Sequence, residues 1–239
     1  FGCLWNIYFI FPYYIPNSTS TNDEGLTIVS INLLRENQEV KKVQEYLEKA
    51  DPDIVILLEY SSAWKASLSE IANSFETARE YPRSDNFGMA VFCKGKMETT
   101  VLQPEGLPAS LILRGRIRGI PLKLIATHPF PPVGQTQYQL RNLQLTLLSG
   151  QLDSDSSIIM AGDLNTTSFS PFFQQLLSKN PHMMDSRMGF GLQSTWPVMF
   201  PPASITLDHI LVSRDLEVLD HQAGPNIGSD HLPVQVMLR

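Results

Sequence analysis

The 239-residue chain is poor in cysteine, has no excess of basic charge and lacks the glycine-rich loops that bind nucleotides. Cys3 and Cys93 are too far apart in sequence to suggest a metal knuckle or a redox pair. Eighteen basic residues stand against 24 acidic ones, a net charge of −6, so a broad basic surface for gripping duplex phosphates is absent. Neither GxGxxG nor GxxxxGK[ST] occurs, which argues against dinucleotide cofactors and P-loop chemistry.

The composition is that of a globular protein with a sizeable core. Hydrophobic residues make up 43% of the chain and charged residues 18%. These fractions exclude intrinsic disorder, a collagen-like sequence, a coiled coil and a disulfide mini-protein. No internal repeat at a period of 20–50 residues is found. The length fits one large domain or two small ones.

The first 16 residues form an uncharged, aromatic segment. Seven of the 22 aromatic residues lie between Phe1 and Tyr14, and the first charged residue is Asp23. Sixteen residues are too few to span a bilayer, but the Trp/Tyr/Pro-rich end is typical of the interfacial belt of a membrane span. We expect residues 1–16 to be the end of a membrane anchor, with the domain outside the cytoplasm. The alternative is an arm packed on a soluble, cytoplasmic protein.

Residues 17–25 are polar and lack periodicity, which indicates a linker, and residues 26–239 form one continuous domain. Apolar residues spaced by three and four predict helices over 36–50, 61–75 and 136–152, the last with a Leu140, Leu143, Leu147 and Leu148 stripe. A shorter helix is predicted over 171–178. Apolar runs predict strands over 26–32, 54–58, 89–92, 111–113, 122–127, 157–161, 205–213 and 233–238. The order of elements favours an α/β sandwich with mixed sheets.

Polar side chains follow these strands where each one ends. Asn32, Glu59 and His128 each close an apolar run, Gly162-Asp-Leu-Asn165 follows another, and Gly228-Ser-Asp-His231 precedes the last strand. Asp208 lies in an otherwise apolar strand. Each of these residues, taken alone, has an ordinary structural explanation; Asp-x-Asn, for example, favours tight turns through Asx hydrogen bonds. A buried carboxylate such as Glu59 is costly without a partner, however, and a metal is one such partner.

In this order, the motifs resemble the endonuclease/exonuclease/phosphatase superfamily. The most specific pieces are Gly162-Asp-Leu-Asn165 and Gly228-Ser-Asp-His231. Further local matches are residues 53–59, 86–90 and 208–213. The resemblance covers residues 26–239 and implies the deoxyribonuclease I-like fold, a four-layer α/β/β/α sandwich with two mixed β-sheets. The aromatic lead-in resembles a bacterial branch with N-terminal membrane-spanning segments.

The resemblance implies a Mg²⁺- or Mn²⁺-dependent phosphohydrolase. Glu59 would hold the metal, since hard cations prefer carboxylate oxygens. Asn32 would supply a neutral oxygen or orient Glu59, and Asp230 would complete the metal shell or a second metal site. The substrate would be a phosphoester, with a diester favoured over a monoester: a phospholipid headgroup, a nucleic acid or a small phosphodiester. No protein partner is implied.

The same resemblance assigns the catalytic roles. Asp163 would orient or deprotonate the attacking water, and the Asn165 amide would donate to a phosphoryl oxygen. His231, oriented by Asp208, would stabilise the transition state, with His128 as a second donor near the leaving group. Asn86 and Trp196 are candidate substrate-binding residues, Trp196 by stacking on a base or a lipid headgroup unless it only pins its loop.

The remaining histidines are expected to be structural. His209 is adjacent to Asp208 on a strand and so faces the opposite side. His182 and His221 match no motif and are expected at the surface.

One departure from the superfamily bears on the substrate. Leu34 occupies a position where some nucleases of the superfamily have a carboxylate, so the metal shell is less acidic here. Together with the net charge of −6, this favours a phosphodiesterase or a sphingomyelinase-like enzyme over DNA repair. A soluble nuclease and a non-catalytic binding module that retains the fold remain the alternatives.

Overall fold

The computed structural model describes residues 9–16, 25–153 and 156–239. Residues 1–8 of the expected anchor segment, and residues 17–24 of the linker predicted over 17–25, lie outside these ranges. The described strands are β1 (Leu26–Asn32), β2 (Ile54–Leu58), β3 (Thr77–Tyr81), β4 (Met89–Cys93), β5 (Met97–Leu102), β6 (Ser110–Ile117), β7 (Ile120–Thr127), β8 (Ser157–Asp163), β9 (Met183–Asp185), β10 (Asp208–Ser213), β11 (Val218–Ala223) and β12 (Val234–Leu238). The α-helices are α1 (Val40–Ala50), α2 (Ser62–Ser67), α3 (Ser69–Asn73), α4 (Gln135–Ser149) and α5 (Pro171–Lys179). Short 3₁₀ helices span Phe11–Tyr14 and Pro201–Ala203.

The strands form two six-stranded mixed sheets. The first sheet has the order β11-β12-β1-β2-β4-β3, and the second has the order β5-β6-β7-β8-β10-β9. Each sheet holds one parallel pair, β1 with β2 and β7 with β8, flanked by antiparallel strands. The carboxyl ends of the two parallel pairs are therefore the places where side chains from neighbouring strands can converge.

Three apolar layers hold the sheets and helices together. The central layer lies between the two sheets and includes Ile56 from β2 and Ile159 from β8. The outer face of the first sheet packs on α1 to α3, and the outer face of the second packs on α4 and α5. Strands such as β2, whose five residues are all buried, are apolar throughout because both of their faces are covered. The four-layer α/β/β/α sandwich expected from the resemblance is confirmed.

Two helix predictions need correction. The predicted helix over 61–75 is two short helices that meet at Leu68, whose backbone is not helical. The helix over 136–152 is present as α4, but its predicted stripe is wrong because Leu143 and Leu147 are exposed. The residues that α4 buries include Arg141, Gln144 and Leu148. Polar side chains thus point inward from this helix, which apolar spacing could not indicate.

The strand predictions fail mainly for the strands at the edges of the two sheets. The edge strands β3, β5, β9 and β11 were not predicted, because none of them is a long apolar run and their burial does not follow a regular alternation. The strand predicted over 205–213 begins only at Asp208. Ile205 instead forms an isolated bridge with Trp196 that closes the loop between them.

The histidine predictions give mixed outcomes. His182 is exposed, as expected. His221 is buried, so its surface assignment is wrong: its Nδ1 contacts Ser186 Oγ at 2.9 Å. Burial lowers the pKa of His221 to about 3, so the ring is neutral at pH 7. His209 is also buried and points away from Asp208, as strand alternation predicts.

Part of the aromatic N-terminal segment packs on the domain. Tyr13 is buried, and its carbonyl accepts a hydrogen bond from the Gly191 backbone N–H at 2.7 Å. Phe11 and Tyr14 are exposed. Within the described ranges, no helix combines the length and the apolar character that crossing a membrane requires.

Candidate functional site

The predicted polar residues converge at one end of the two sheets. Asn32 ends β1 and Glu59 follows β2, while His128 follows β7 and Asp163 ends β8. Asp208 begins β10 directly opposite Asp163 in the antiparallel register. The parallel pairs therefore bring residues from both sheets to a common edge.

Asn32 bridges the two sheets. Its Nδ2 lies 3.3 Å from Glu59 Oε1 and 3.3 Å from Asp163 Oδ2, so one amide contacts a carboxylate on each side. Its Oδ1 accepts a hydrogen bond from the Leu34 backbone N–H at 3.1 Å, which fixes the orientation of the amide. Asn32 thus sets the separation of the two carboxylates.

Glu59 is a buried carboxylate whose partners are neutral. Its side chain receives hydrogen bonds from Asn32 Nδ2 and from the Arg35 backbone N–H at 3.1 Å. The residue is 7% exposed, and none of the described Lys, Arg or His side chains forms an ion pair with it. Its backbone has a φ of 56°, a left-handed conformation that is sparsely populated outside glycine and concentrates at functional sites. A cation would offset the cost of burying this charge.

Asp163 lies at the centre of the cluster, between two histidines. Its Oδ2 is 3.5 Å from His128 Nε2 and 3.7 Å from His231 Nε2, and its Oδ1 accepts the Asn165 backbone N–H at 2.8 Å. Burial alone would raise the pKa of the carboxyl. The bond to His128 and the charges of both imidazoles outweigh it and lower the pKa, so Asp163 is ionised.

His231 is held by a second carboxylate. Its Nδ1 lies 2.8 Å from Asp208 Oδ2, and its backbone N–H donates to Ser229 Oγ at 3.1 Å. Although burial disfavours the charged ring, the carboxylate of Asp208 and the further charges of Asp163 and Asp230 raise the pKa of His231 to about 10. The imidazole is therefore protonated at pH 7, with its Nε2–H directed toward Asp163.

His128 occupies the other side of Asp163. Burial would lower its pKa, but the contact with Asp163 and the charge of Glu59 raise it. Its buried Nδ1 has no hydrogen-bond partner in the part of the chain that the structure describes, and its ring lies 5.6 Å from that of Phe87. Among the described residues, Asp163 is the only charged partner that orients this ring.

Gly162 permits the close approach of β8 to β7. Its φ is 144°, and a Cβ atom at this position would lie 1.9 Å from the carbonyl oxygen of Thr127. Thr127 immediately precedes His128, so the contact between these two backbones sets the distance from Asp163 to His128. Glycine in this motif is required by packing as well as by its backbone conformation.

We expect Gly162→Ala to destabilise the protein by at least about 2 kcal/mol, since it combines backbone strain with an unavoidable clash. Chemical denaturation measures this change. Gly150→Ala is the matched control, because a Cβ there meets nothing closer than 3.4 Å and the φ is −73°. Equal stability of the two variants would show that the β7–β8 contact adapts freely.

The cluster lies in a cleft of about 670 Å³. Asn86 and Trp196 both line it, and so do Phe87, Pro131, Val133 and Ile205. Asn165 also faces the cleft; its Nδ2 donates to the Pro129 carbonyl at 3.0 Å, which leaves one amide hydrogen available. The lining of the cleft is thus partly apolar, and its buried polar groups are Asn165 and the members of the cluster.

Asp230 is less closely connected to the cluster. Its Oδ2 accepts a hydrogen bond from Trp196 Nε1 at 3.1 Å, and it is absent from the lining of the cleft. A different trio, Asp163, Asp208 and His231, places ligand atoms within 4.8 Å of one another. His231 is protonated between these two carboxylates, so a charged hydrogen-bonded network accounts for their spacing.

Sequence reasoning missed Arg141, a buried residue of α4. Its Nη1 donates to the Asn165 carbonyl at 2.6 Å and fixes the backbone of the Gly162–Asn165 motif. Gln144, one turn on, donates to Thr127 Oγ1 at 3.3 Å next to His128. The available signal was the spacing of three between Arg141 and Gln144 on one helix. The local sequence does not distinguish this pair from residues on a solvent-exposed helix face.

The chain matches known structures across most of its length. D. rerio TDP2 complexed with a single-strand DNA product is 18% identical, with a TM-score of 0.75, over 91% of this chain and all of that chain. The Bacteroides thetaiotaomicron VPI-5482 mannosyl-6-phosphatase Bt3783 is 18% identical, with a TM-score of 0.66, over 90% and 99% of the two chains. An endonuclease/exonuclease/phosphatase from Beutenbergia cavernae DSM 12333 is 16% identical, with a TM-score of 0.70, over 91% and 72%. At these identities the similarity establishes the fold.

Sequence comparison identifies the family. No curated protein is significantly similar to the chain. The model of the endonuclease/exonuclease/phosphatase family, however, matches residues 3–231, which include every predicted site residue. With its two-sheet fold and the strand-end cluster around Asp163, the chain belongs to the endonuclease/exonuclease/phosphatase family.

Proposed function

We propose that the protein is a metal-dependent phosphohydrolase that cleaves a phosphodiester by in-line attack of an activated water. The observation that carries this proposal is the ionised Asp163 held between two histidines. Asn32 joins it to the carboxylate of Glu59, which has no ion-pair partner among the described residues. Cationic donors and a buried carboxylate in one cleft suit a substrate with a negatively charged phosphoryl group. Family membership supports phosphoester hydrolysis as the reaction class.

The donor set around Glu59 fits a hard divalent cation. Glu59 offers carboxylate oxygens that have no cationic partner among the described residues. Asn32 donates from Nδ2 to Glu59 and accepts the Leu34 N–H at Oδ1, so in this arrangement it orients the carboxylate. We assign Mg²⁺ or Mn²⁺ to Glu59, which Asn32 orients. Asp230 would have to release Trp196 Nε1 to serve as a further ligand for the same ion or a second one. A bound ion would neutralise a phosphoryl oxygen and the charge that develops on the leaving group.

Asp163 and the histidines perform the remaining steps. The ionised Asp163 accepts a hydrogen bond from the attacking water and directs its lone pair at phosphorus. His231, kept cationic by Asp208, donates to an equatorial phosphoryl oxygen as charge builds up there. His128 donates on the other side, near the leaving group, and the free amide hydrogen of Asn165 completes the set of donors.

The cleft favours a diester with neutral organic groups over a long polyanion. Arg35 is the only Lys or Arg side chain in its described lining, against three carboxylates, Glu59, Asp85 and Asp163. Phe87 and Trp196 flank the two histidines, at ring distances of 5.6 and 6.3 Å. Aromatic walls suit a phospholipid or small diester and also the stacking of single-stranded bases, so a nuclease remains the second candidate.

The direct test is hydrolysis of bis(p-nitrophenyl) phosphate in H₂¹⁸O with Mg²⁺ or Mn²⁺. We expect p-nitrophenol release with one ¹⁸O in the phosphate monoester and faster turnover of this diester than of p-nitrophenyl phosphate. Label in the p-nitrophenol would mean attack at carbon. Metal binding without turnover of any phosphoester would instead favour a binding module that retains the fold.

A further inference from the structure

A second buried polar cluster lies behind the catalytic residues, on the outer side of the second sheet. Its centre is the ion pair of Asp185 and Arg187, in which Arg187 Nε donates to Asp185 Oδ1 at 3.1 Å and Nη2 lies 2.5 Å from Oδ2. Both residues are almost completely buried. An ion pair in such a place stabilises little by itself and needs further hydrogen bonds to offset desolvation.

Those further bonds reach the segment that carries the catalytic residues. Arg187 Nη2 donates to Ser168 Oγ at 2.9 Å, five residues after Asp163. The same nitrogen lies 3.4 Å from Nδ1 of His209, whose Nε2 is 2.8 Å from the Thr166 carbonyl. The turn after Asp163 is thus attached to the Arg187 guanidinium directly through Ser168 and indirectly through His209 and Thr166.

His209 couples this cluster to the catalytic histidine as well. Burial and the charge of Arg187 lower the pKa of His209 to about 4, so it is neutral, accepts from Arg187 at Nδ1 and donates to Thr166 at Nε2. The residue before it, Asp208, holds His231 from the opposite face of β10. The cluster therefore braces both carboxylates that contact His231.

The N-terminal arm, residues 9–16, closes this cluster. The ring of Tyr13 lies beneath the Arg187 guanidinium, 5.2 Å from its Cζ to the ring centroid, and the Tyr13 hydroxyl donates to Asp185 Oδ2 at 3.3 Å. The ring also contacts Phe169 at 6.2 Å, within the loop that follows Ser168. Tyr13 itself is 5% exposed and covers the ion pair.

We propose that the N-terminal arm is a positioning element of the active site, and that Tyr13 fixes the segment 163–168 by holding Arg187 in place. The arm then affects the rate of the chemical step although none of its described residues lines the cleft. The expected effect on the rate rests on the proposed phosphohydrolase activity, whereas the expected effect of Tyr13 on the segment 163–168 does not.

The test compares Tyr13→Ala, Tyr13→Phe and the control Tyr14→Ala in the full chain. Tyr14 belongs to the same arm but is exposed. Backbone amide exchange of residues 164–170 is measured by mass spectrometry, with residues 54–58 of β2 as the internal reference. Turnover of bis(p-nitrophenyl) phosphate gives kcat and KM. If Tyr13→Ala does not fold, Tyr13→Leu replaces it, because leucine keeps most of the apolar volume without the ring.

For Tyr13→Ala we expect faster exchange in 164–170 alone and a kcat lower by about tenfold, with KM within about twofold. Tyr13→Phe, which keeps the ring under Arg187, should recover most of the kcat, and Tyr14→Ala should match the wild type. A folded Tyr13→Ala protein with wild-type exchange and kcat would overturn the proposal. Unchanged amide exchange in Tyr13→Ala overturns the proposal whether or not the wild type hydrolyses a phosphoester. A wild type that hydrolyses no phosphoester contradicts the proposed function separately.

Discussion

Asp163→Asn should reduce the kcat for bis(p-nitrophenyl) phosphate by about 10³-fold, the effect expected when a group that activates the nucleophile loses its charge. The substitution keeps the size of the side chain and the Oδ1 acceptor for the Asn165 backbone N–H. It removes the carboxylate that His128 and His231 both face, at 3.5 and 3.7 Å. Steady-state kinetics at saturating metal measures the loss.

The control for this variant is Asp220→Asn, since Asp220 is exposed on β11 and outside the cleft. It carries the same chemical change and should leave kcat unchanged. Circular dichroism and the unfolding midpoint establish that both variants are folded. A folded Asp163→Asn enzyme that retains more than about a tenth of wild-type kcat would remove Asp163 from the reaction.

The second large effect concerns Glu59→Gln. We expect the Mg²⁺ concentration for half-maximal activity to rise at least about 100-fold, because the substitution removes the carboxylate that would bind the ion. Glu59 is buried and has no cationic partner among the described residues. The glutamine keeps the shape of the side chain and can still accept the Arg35 backbone N–H. Activity is titrated with Mg²⁺ and, in parallel, metal binding is followed by calorimetry.

Glu70→Gln controls for the loss of one negative charge, as Glu70 is exposed on α3. Its metal titration should coincide with that of the wild type. A Glu59→Gln protein that binds Mg²⁺ with wild-type affinity would place the ion elsewhere, with the trio Asp163, Asp208 and His231 as the next site to test.

The central strands and the residues at their ends could be predicted because the information is local. A run such as that of β2 is apolar on both faces, and the polar residue that follows it must lie at the edge of the sheet. The resemblance then supplied the roles expected of these residues, and the antiparallel register places Asp163 opposite Asp208. Their assigned roles remain proposals.

The supporting residues could not be predicted because their partners are distant in sequence. Arg141 is distinguished from a solvated arginine only by the Asn165 carbonyl 24 residues away. Tyr13 looks like part of an interfacial aromatic belt until it is seen against Asp185, 172 residues later. His221 was placed at the surface for the same reason, since its burial depends on Ser186 and the packing of β10.

The metal dependence that we propose for the centre around Glu59 and Asp163 is tested most directly by chelation of the wild-type protein. Hydrolysis of bis(p-nitrophenyl) phosphate is followed before EDTA is added, after it is added, and again after excess Mg²⁺ or Mn²⁺ is restored. We predict that EDTA abolishes turnover and that either ion returns it. Turnover that continues at its original rate in excess EDTA would contradict the account.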